Sequence, residues 1–397
     1  MKWTKKPLAE VADFCLGKML DDKKNRGEPL PYLANVNVRW GEFDLENLRE
    51  MRFEYDEMDR YGLKYGDIVM CEGGEPGRCA IWKEPVPGMM IQKALHRIRP
   101  HSCLDHRFLF YSFFHKGKIG SFGPLFTGAT IKHLPREKLA KIEIEFPPPE
   151  IQRRIADILS AYDDLIENNR RRMALLEEEA RQLYRDWFVR LRFPGHEHVP
   201  INNGVPKGWE HVPTPEAVHV NPPSQLSDDA EHWFVEMADL PTGNMVIQRA
   251  VKREGRSGSK FKNGDTLFAR ITPCLENGKT AFVDFLEDGE VARGSTEFIV
   301  LRSKRLTPEF VYCLARTYAF RENAIKSMVG SSGRQRVQES CFDKFLVLVP
   351  PTTILGVFTE CVRPIFTQTR VLHAMSRKLG AARDLLLPRL MSGEIAV

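Results

Sequence analysis

The sequence predicts an α+β protein built of two β-rich α/β domains, each followed by a long helix, the two helices pairing as a coiled coil. Three observations predict it. Two stretches of about forty residues carry an apolar repeat of alternating threes and fours; each opens on a proline run; and the segments ahead of them resemble one another. At 397 residues the chain exceeds one ordinary core, so two or three domains are expected.

Residues 1–148 read as the first domain. Its segment 64–82, KYGDIVMCEGGEPGRCAIW, is a Gly-Asp turn, a short β-run, a glycine-containing loop and a second β-run. Residues 149–192 read as the first long helix, introduced by Pro149, whose missing N–H costs nothing in a first turn. Its seam is Ile151, Ile155, Ile158, Tyr162, Leu165, Asn169, Met173, Leu176, Ala180, Leu183 and Trp187. The doubled four-residue step around Asn169 is a stutter, and a seam asparagine is a device for fixing register or partner.

Residues 193–350 read as the second domain, starting through NNGVPKGWEHVP (202 to 213). KNGDTLFARITPCLENGKTAFV (262 to 283) parallels the first Gly-Asp hairpin. A constant offset of 203 carries Leu134, Leu139, Lys141, Ile142, Pro147 and Pro148 onto Val337, Phe342, Lys344, Phe345, Pro350 and Pro351. Residues 351–397 hold the second long helix, with the seam Ile354, Phe358, Cys361, Ile365, Gln368, Leu372, Met375, Leu379, Ala382 and Leu386. A kink or break is expected at Pro364 and a stop at Pro388, because an interior proline removes a backbone hydrogen bond. A helix of roughly 40 residues spans about 60 Å, longer than a small domain is wide, so each long helix needs a partner, and the other seam supplies one.

The net charge of +5 is compatible with a polyanionic partner without requiring one. Eight scattered cysteines, with no CxxC pair, fit reduced thiols and argue against zinc. No stretch reaches the roughly 18 apolar residues of a membrane helix, and MKWTKKPLAEVADF lacks a signal-peptide core, so a cytoplasmic protein is expected.

Two similar but non-identical heads held at a fixed distance suit the reading of two different short words on duplex DNA, whose groove faces recur about every 34 to 36 Å. Matching small and basic loops supply the chemistry: Thr130, Lys132 and His133 after Gly128 and Ala129, and Ser331, Ser332, Arg334, Gln335 and Arg336 after Gly330. Small residues let backbone N–H groups approach phosphates, arginine forks onto guanine and glutamine onto adenine. The hairpins add Arg78 in the first copy, and Arg270 and Lys279 in the second.

PPPEIQRRIADILSAYDDLIENNRRR (147 to 172), EEEARQLYRDWFVRLRFPG (177 to 195), VPKGWE (205 to 210) and the terminal LLLPRLMSGEI (385 to 395) resemble the specificity subunits of type I restriction-modification systems, over nearly the whole chain. The resemblance implies two target recognition domains, each reading one half of an interrupted double-stranded DNA site, separated by a long antiparallel two-helix coiled coil acting as a ruler. It further implies that these helices dock two methyltransferase subunits carrying S-adenosylmethionine, and that motor-nuclease subunits with ATP and Mg join for cleavage. This chain itself would be non-catalytic and hold no cofactor. It departs from the pattern where Thr353, Ile354 and Leu355 stand for Glu150, Ile151 and Gln152, and at Pro364.

The sequence carries no complete catalytic motif that would contradict this reading. Asn221-Pro222-Pro223-Ser224 lacks the aromatic that an amino-methyltransferase stacks on its flipped base, and reads as a proline-stiffened loop. GGEPG at 73 to 77 enters a β-run instead of a helix, and no Walker lysine loop exists. His96, His101 and His106 share no face and read as surface residues, with His196 and His198 in a linker. Asp163-Asp164 and Glu177-Glu178-Glu179 read as a solvated helix face or a protein-docking surface away from the seam, in preference to a two-metal nuclease site. The rivals are a coiled-coil protein-interaction scaffold and a stand-alone DNA adenine methyltransferase.

Overall fold

The buried apolar strand Ile68–Cys71 and the mixed strand Leu95–Pro100 form the centre of the first antiparallel sheet, ordered Ala12–Leu16, Leu95–Pro100, Ile68–Cys71, Cys79–Ile81, in a computed structural model of the chain. The structure describes residues 3–21, 25–226, 231–331 and 333–397. These residues fall into two compact units, Met1–Leu165 with Lys378–Val397, and Ile166–Arg377.

In the first unit a second sheet runs Arg49–Phe53, Glu28–Leu33, Met90–Ile91, its last pair parallel. Strand Thr4–Pro7 pairs antiparallel with Glu143–Phe146, tying the start of the chain to the strand ahead of the first long helix. The helix His106–Lys118 is capped by Asp105, whose carboxylate accepts from the N–H groups of Arg107 and Phe108. It buries Phe108, Leu109, Phe113 and their neighbours against the sheet.

The second unit repeats this order. Its antiparallel sheet runs Val218–Val220, Phe298–Ser303, Thr266–Ala269, Thr280–Phe282; its other sheet Val251–Arg253, His232–Val235, Val291–Gly294, Ser259–Lys262; and Glu210–Pro213 pairs with Leu346–Val349. The repetition reaches individual atoms. In the Gly-Asp turns, Gly66 (φ 87°) and Gly264 (φ 85°) occupy the left-handed region that glycine tolerates. The next carboxylate is buried in both. Asp67 accepts from the Lys64 N–H at 2.8 Å and from Arg99 Nε and Nη2 at 2.7 Å each; Asp265 accepts from the Lys262 N–H at 2.8 Å and from Arg302 Nε and Nη2 at 2.7 Å each.

The first long helix is Pro149–Tyr184, continued by a wider turn Arg185–Val189; the second is Thr352–Met391. The helix runs unbroken through Pro364, and the stop expected at Pro388 does not occur there. Pro364 and Glu360, whose carbonyl loses its donor, both lie on the exposed face, where water can serve that oxygen. Pro388 falls three residues from the helix end; its missing N–H leaves the carbonyl of half-buried Asp384 without a helical donor, while its own carbonyl accepts from the Ser392 N–H at 3.0 Å, which carries the helical pattern past it.

The buried stripe is rotated slightly from the predicted seams. Ile155, Asn169, Met173, Ala180, Trp187, Phe358, Ile365 and Leu372 are buried, while Ile151, Tyr162, Leu176, Leu183, Ile354 and Leu379 are half-buried. Ile158, Leu165 and Met375 are 36%, 50% and 48% exposed, and Cys361 is also exposed. Leu159 and Ile166 turn inward in place of Ile158 and Leu165, because each long helix also packs on a sheet-bearing core, which selects a 3.6-residue stripe over a strict seam. Within the first unit Ile155, Ala156 and Leu159 share a core with Leu387 and Leu390. Within the second, Ala180, Tyr184 and Phe188 share one with Leu355, Phe358, Val362 and Ile365.

Within the acidic runs Asp164 and Glu179 are exposed, as expected of a solvated face, but Asp163 and Glu177 are not. Asp163 accepts from the Tyr111 hydroxyl at 2.7 Å and is paired with Arg383. Glu177 is 1% exposed; it accepts from the Tyr312 hydroxyl at 2.7 Å and faces Arg316 Nε at 3.6 Å. Burial raises its pKa, the Arg316 charge opposing it. In each unit a buried tyrosine of the post-sheet helix thus grips a carboxylate of the first long helix.

Replacing Asp265 by Ala is expected to strand the Arg302 guanidinium, 16% exposed, without its counter-charge. Breaking such a buried pair costs about 3 kcal/mol. Urea unfolding of the variant checks this, and a loss near zero would refute the fork as a stability element.

Candidate nucleic-acid interface

The two loops singled out by sequence each fold back against the hairpin of their own unit. In the first, Thr127 and His133 exchange backbone hydrogen bonds of 2.9 and 2.8 Å, His133 bridges Gly73, and the Leu134 N–H donates to Glu72 O at 2.7 Å. Gly128 (φ 91°) makes the turn: a Cβ there would lie 2.2 Å from Ile131 O. In the second, Val329 and Arg336 exchange hydrogen bonds of 3.0 Å each, Arg336 bridges Ile271, and the Val337 N–H donates to Arg270 O at 2.9 Å. The Gln335 N–H donates to Thr272 Oγ1 at 3.0 Å. Each junction therefore brings a basic loop beside a Gly-Asp hairpin.

At the first junction Thr130 and Lys132 are exposed, and His133 Nδ1 lies 3.1 Å from Glu72 Oε2. Thr130 and Lys132 border an open cleft of about 700 Å³, also lined by Trp40, Gly74, Glu75, Arg78, Phe126 and Ile131. Arg78 is a brace instead of a free contact: it pairs with Glu75 and donates through Nη2 to Asn35 O at 3.0 Å. Trp40, 38% exposed and edge-on to Phe114, was missed by sequence reasoning; its pointer is a tryptophan flanked by Arg39 and Gly41 outside any apolar run.

At the second junction Ser331 and Arg334 are exposed and Gln335 is half-buried, while Ser332 lies outside the described residues. Arg334 ends a turn in which its N–H donates to Ser331 O at 3.0 Å, between Gly330 and Gly333, both of positive φ. Arg336 forks onto Glu297, with Nε 2.9 Å from both carboxylate oxygens and Nη2 2.6 Å from Oε1. This hydrogen-bonded pairing holds the Glu297 carboxyl below its ordinary range and the Arg336 guanidinium above its own. Arg270 and Lys279 turn inward: Arg270 pairs with Glu339 at 3.1 Å and donates to Val337 O at 3.3 Å, and Lys279 Nζ donates to Met237 O at 2.7 Å.

The remaining motifs are structural. Asn221 exchanges two 2.8 Å hydrogen bonds with Val300, and Ser224 Oγ accepts from Arg302 at 3.0 Å, so the Asn-Pro-Pro segment closes a sheet edge. His96, expected at the surface, is fully buried, with Nε2 2.8 Å from Leu134 O; burial lowers its pKa. Among the described residues no group of three His, Cys, Asp or Glu side chains could hold a metal, and no helix is long and apolar enough to cross a membrane.

Residues 1–178 match the model of the type I restriction modification DNA specificity domain. The MjaIX type I specificity subunit of Methanocaldococcus jannaschii is 26% identical over 348 residues, covering 84% of this chain and 78% of that protein. The EcoEI specificity subunit of Escherichia coli is 30% identical over 167 residues, 39% of this chain and 28% of that protein. The crystal structure of a type I restriction-modification S subunit from M. genitalium aligns with a TM-score of 0.56 at 14% identity, over 98% of this chain and 96% of that one, which is a likeness of fold.

Exposed and braced cations are expected to separate on mutation. Arg334→Ala should weaken nucleic-acid binding by about 1 to 3 kcal/mol at fixed salt and leave thermal unfolding unchanged. Arg270→Ala should instead lower stability, by about 1 to 2 kcal/mol, since it unties Glu339 and the Val337 carbonyl. Unchanged affinity for the first variant would remove the 329–336 loop from the interface.

Proposed function

The chain belongs to the family of type I restriction-modification DNA specificity proteins, and on that premise we propose that it is the non-catalytic, DNA-reading subunit of such an enzyme. Residues 1–148 and 193–350 act as target recognition domains, each reading one half of a bipartite double-stranded site through the loop and hairpin junction. The helical regions 149–192 and 351–397 pair as an antiparallel coiled coil, set the spacing and dock two methyltransferase subunits. S-adenosylmethionine then belongs to those partners, and ATP and Mg to motor-nuclease subunits, in the cytoplasm.

The observation that carries this reading is the repeated junction: at matching places in two units whose four-stranded sheets share one order, a small-residue basic loop abuts a hairpin and sets a nitrogen-bearing side chain, His133 or Arg336, against a glutamate. The shared cores of helix segments within each unit support the helical pairing. The candidate contacts are Thr130, Lys132, His133, Ser331, Ser332, Arg334, Gln335 and Arg336. Arg78, Arg270 and Lys279 are assigned to bracing the junctions.

The chain alone, given S-adenosylmethionine and DNA, is expected to turn over nothing, while the methyltransferase that co-purifies with it methylates adenine at bipartite sites. Turnover by the chain alone would make it an enzyme, and the absence of both a methyltransferase and specific DNA binding would make it a protein scaffold. A four-residue insertion after Arg172 adds about 6 Å of helix. At roughly 3.4 Å per base pair it should lengthen the preferred spacer by about two base pairs, measured by sequencing methylated or bound DNA; an unaltered spacer would overturn the ruler.

A further inference from the structure

The two junctions differ chemically at one equivalent position, and the difference predicts a base. Arg336 and His133 both sit where the loop bridges the hairpin, so their backbones are held by neighbouring chain on two sides. Glu297 engages the Nε edge of Arg336, taking Nε and one proton of Nη2. Glu297 is itself fixed: its N–H donates to Ser295 Oγ at 3.2 Å, and its carbonyl accepts from the Arg270 N–H at 3.0 Å.

A guanidinium held by its Nε edge keeps its other edge, formed by Nη1 and the second proton of Nη2, directed away from the carboxylate. That edge presents two parallel donors, and Arg336 is 52% exposed. In the major groove two adjacent acceptors occur on one base edge, guanine O6 and N7. Adenine presents an acceptor beside a donor, and thymine one acceptor beside a methyl group, so neither matches two fixed donors.

We propose that Arg336, positioned by Glu297, reads a guanine in the half-site bound by the second unit. This rests on the DNA-reading assignment above and names the base that one side chain specifies. Glu297 is a positioning residue: it sets the guanidinium plane before DNA arrives, so less side-chain freedom is lost on binding. In the first unit, Glu72 faces His133 Nδ1, leaving a single outward nitrogen, Nε2. One ring nitrogen cannot fork, so the two half-sites differ at the corresponding base.

The test is selection of duplex oligonucleotides from a randomised pool by the full chain, with the subunits that co-purify with it, for the wild type, Arg336→Lys, Arg336→Ala and Glu297→Gln. The wild type is expected to select a two-part motif with a guanine favoured about tenfold or more at one position. Arg336→Lys, which keeps the charge without the fork, should reduce that preference to near unity, with every other position and the salt dependence retained. Glu297→Gln should weaken the preference at the same position only. A two-part motif whose guanines survive Arg336→Lys and Arg336→Ala would overturn the inference and leave the DNA-reading assignment standing. A wild type that selects no motif would overturn both. Thermal unfolding of each variant confirms that the selected pools come from folded protein.

Discussion

Each unit depends on a carboxylate buried at the foot of its Gly-Asp hairpin. Asp67 and Asp265 are 1% and 0% exposed, a placement tolerable only because a backbone N–H and a forked guanidinium satisfy both oxygens. The fork joins the hairpin's first strand to its neighbour in the sheet, Ile68–Cys71 to Leu95–Pro100 and Thr266–Ala269 to Phe298–Ser303. The turn glycine packs under the start of the following helix, against His106 in one unit and Pro308 in the other. The hairpin is thereby fixed at its base, and its far end, carrying Gly73 or Ile271, can present a recognition loop at a defined height.

On this shared frame the two units vary their chemistry. Arg107 pairs with Asp157 in the first, where Glu309 pairs with Arg363 in the second, the same kind of link from post-sheet helix to long helix with its charges exchanged. Gln152 stitches the first long helix to its unit, donating to Pro147 O and Cys103 O and accepting from the Asp105 N–H. Leu355 takes the equivalent place in the second helix and joins an apolar cluster instead. A fold that fixes backbone geometry by repetition can exchange side chains at its junctions without moving the loops, which is what reading two different words from one architecture requires.

Much of the architecture was legible because periodicity and duplication are properties of spacing. The long helices, their proline starts and the 203-residue offset need no tertiary information. Errors arose where a third element intervened. Glu177 reads as a solvated charge until Tyr312 and Arg316, remote in sequence, cover it; Ile158 and Leu165 read as seam residues until the sheet-bearing cores rotate the buried stripe by one residue. Pro364 reads as a break because sequence does not disclose which face of a helix is wet. At the junctions, glycines and clustered cations marked the loops correctly as chain segments. The roles of Arg78 and Arg270 were not legible, because the carbonyls they serve, of Asn35 and Val337, lie 43 and 67 residues away.

The braced cations also bear on how such a head balances affinity and specificity. A free lysine or arginine on phosphate releases counterions and strengthens binding to every sequence alike. Arg78, Arg270 and Arg336 are already paired with Glu75, Glu339 and Glu297, so their charges are largely compensated before any contact with nucleic acid. What they retain is orientation. Lys132 and Arg334 are exposed and lie in the two loops. On the proposed reading, a paired and oriented guanidinium such as that of Arg336 adds little to the binding of arbitrary duplex and acts through groove-edge matching. On the same reading, helices that fix the spacing of two such heads would make the second contact intramolecular and so raise selectivity. On this view the long helices serve recognition as much as the loops do, because they convert two modest preferences into one site.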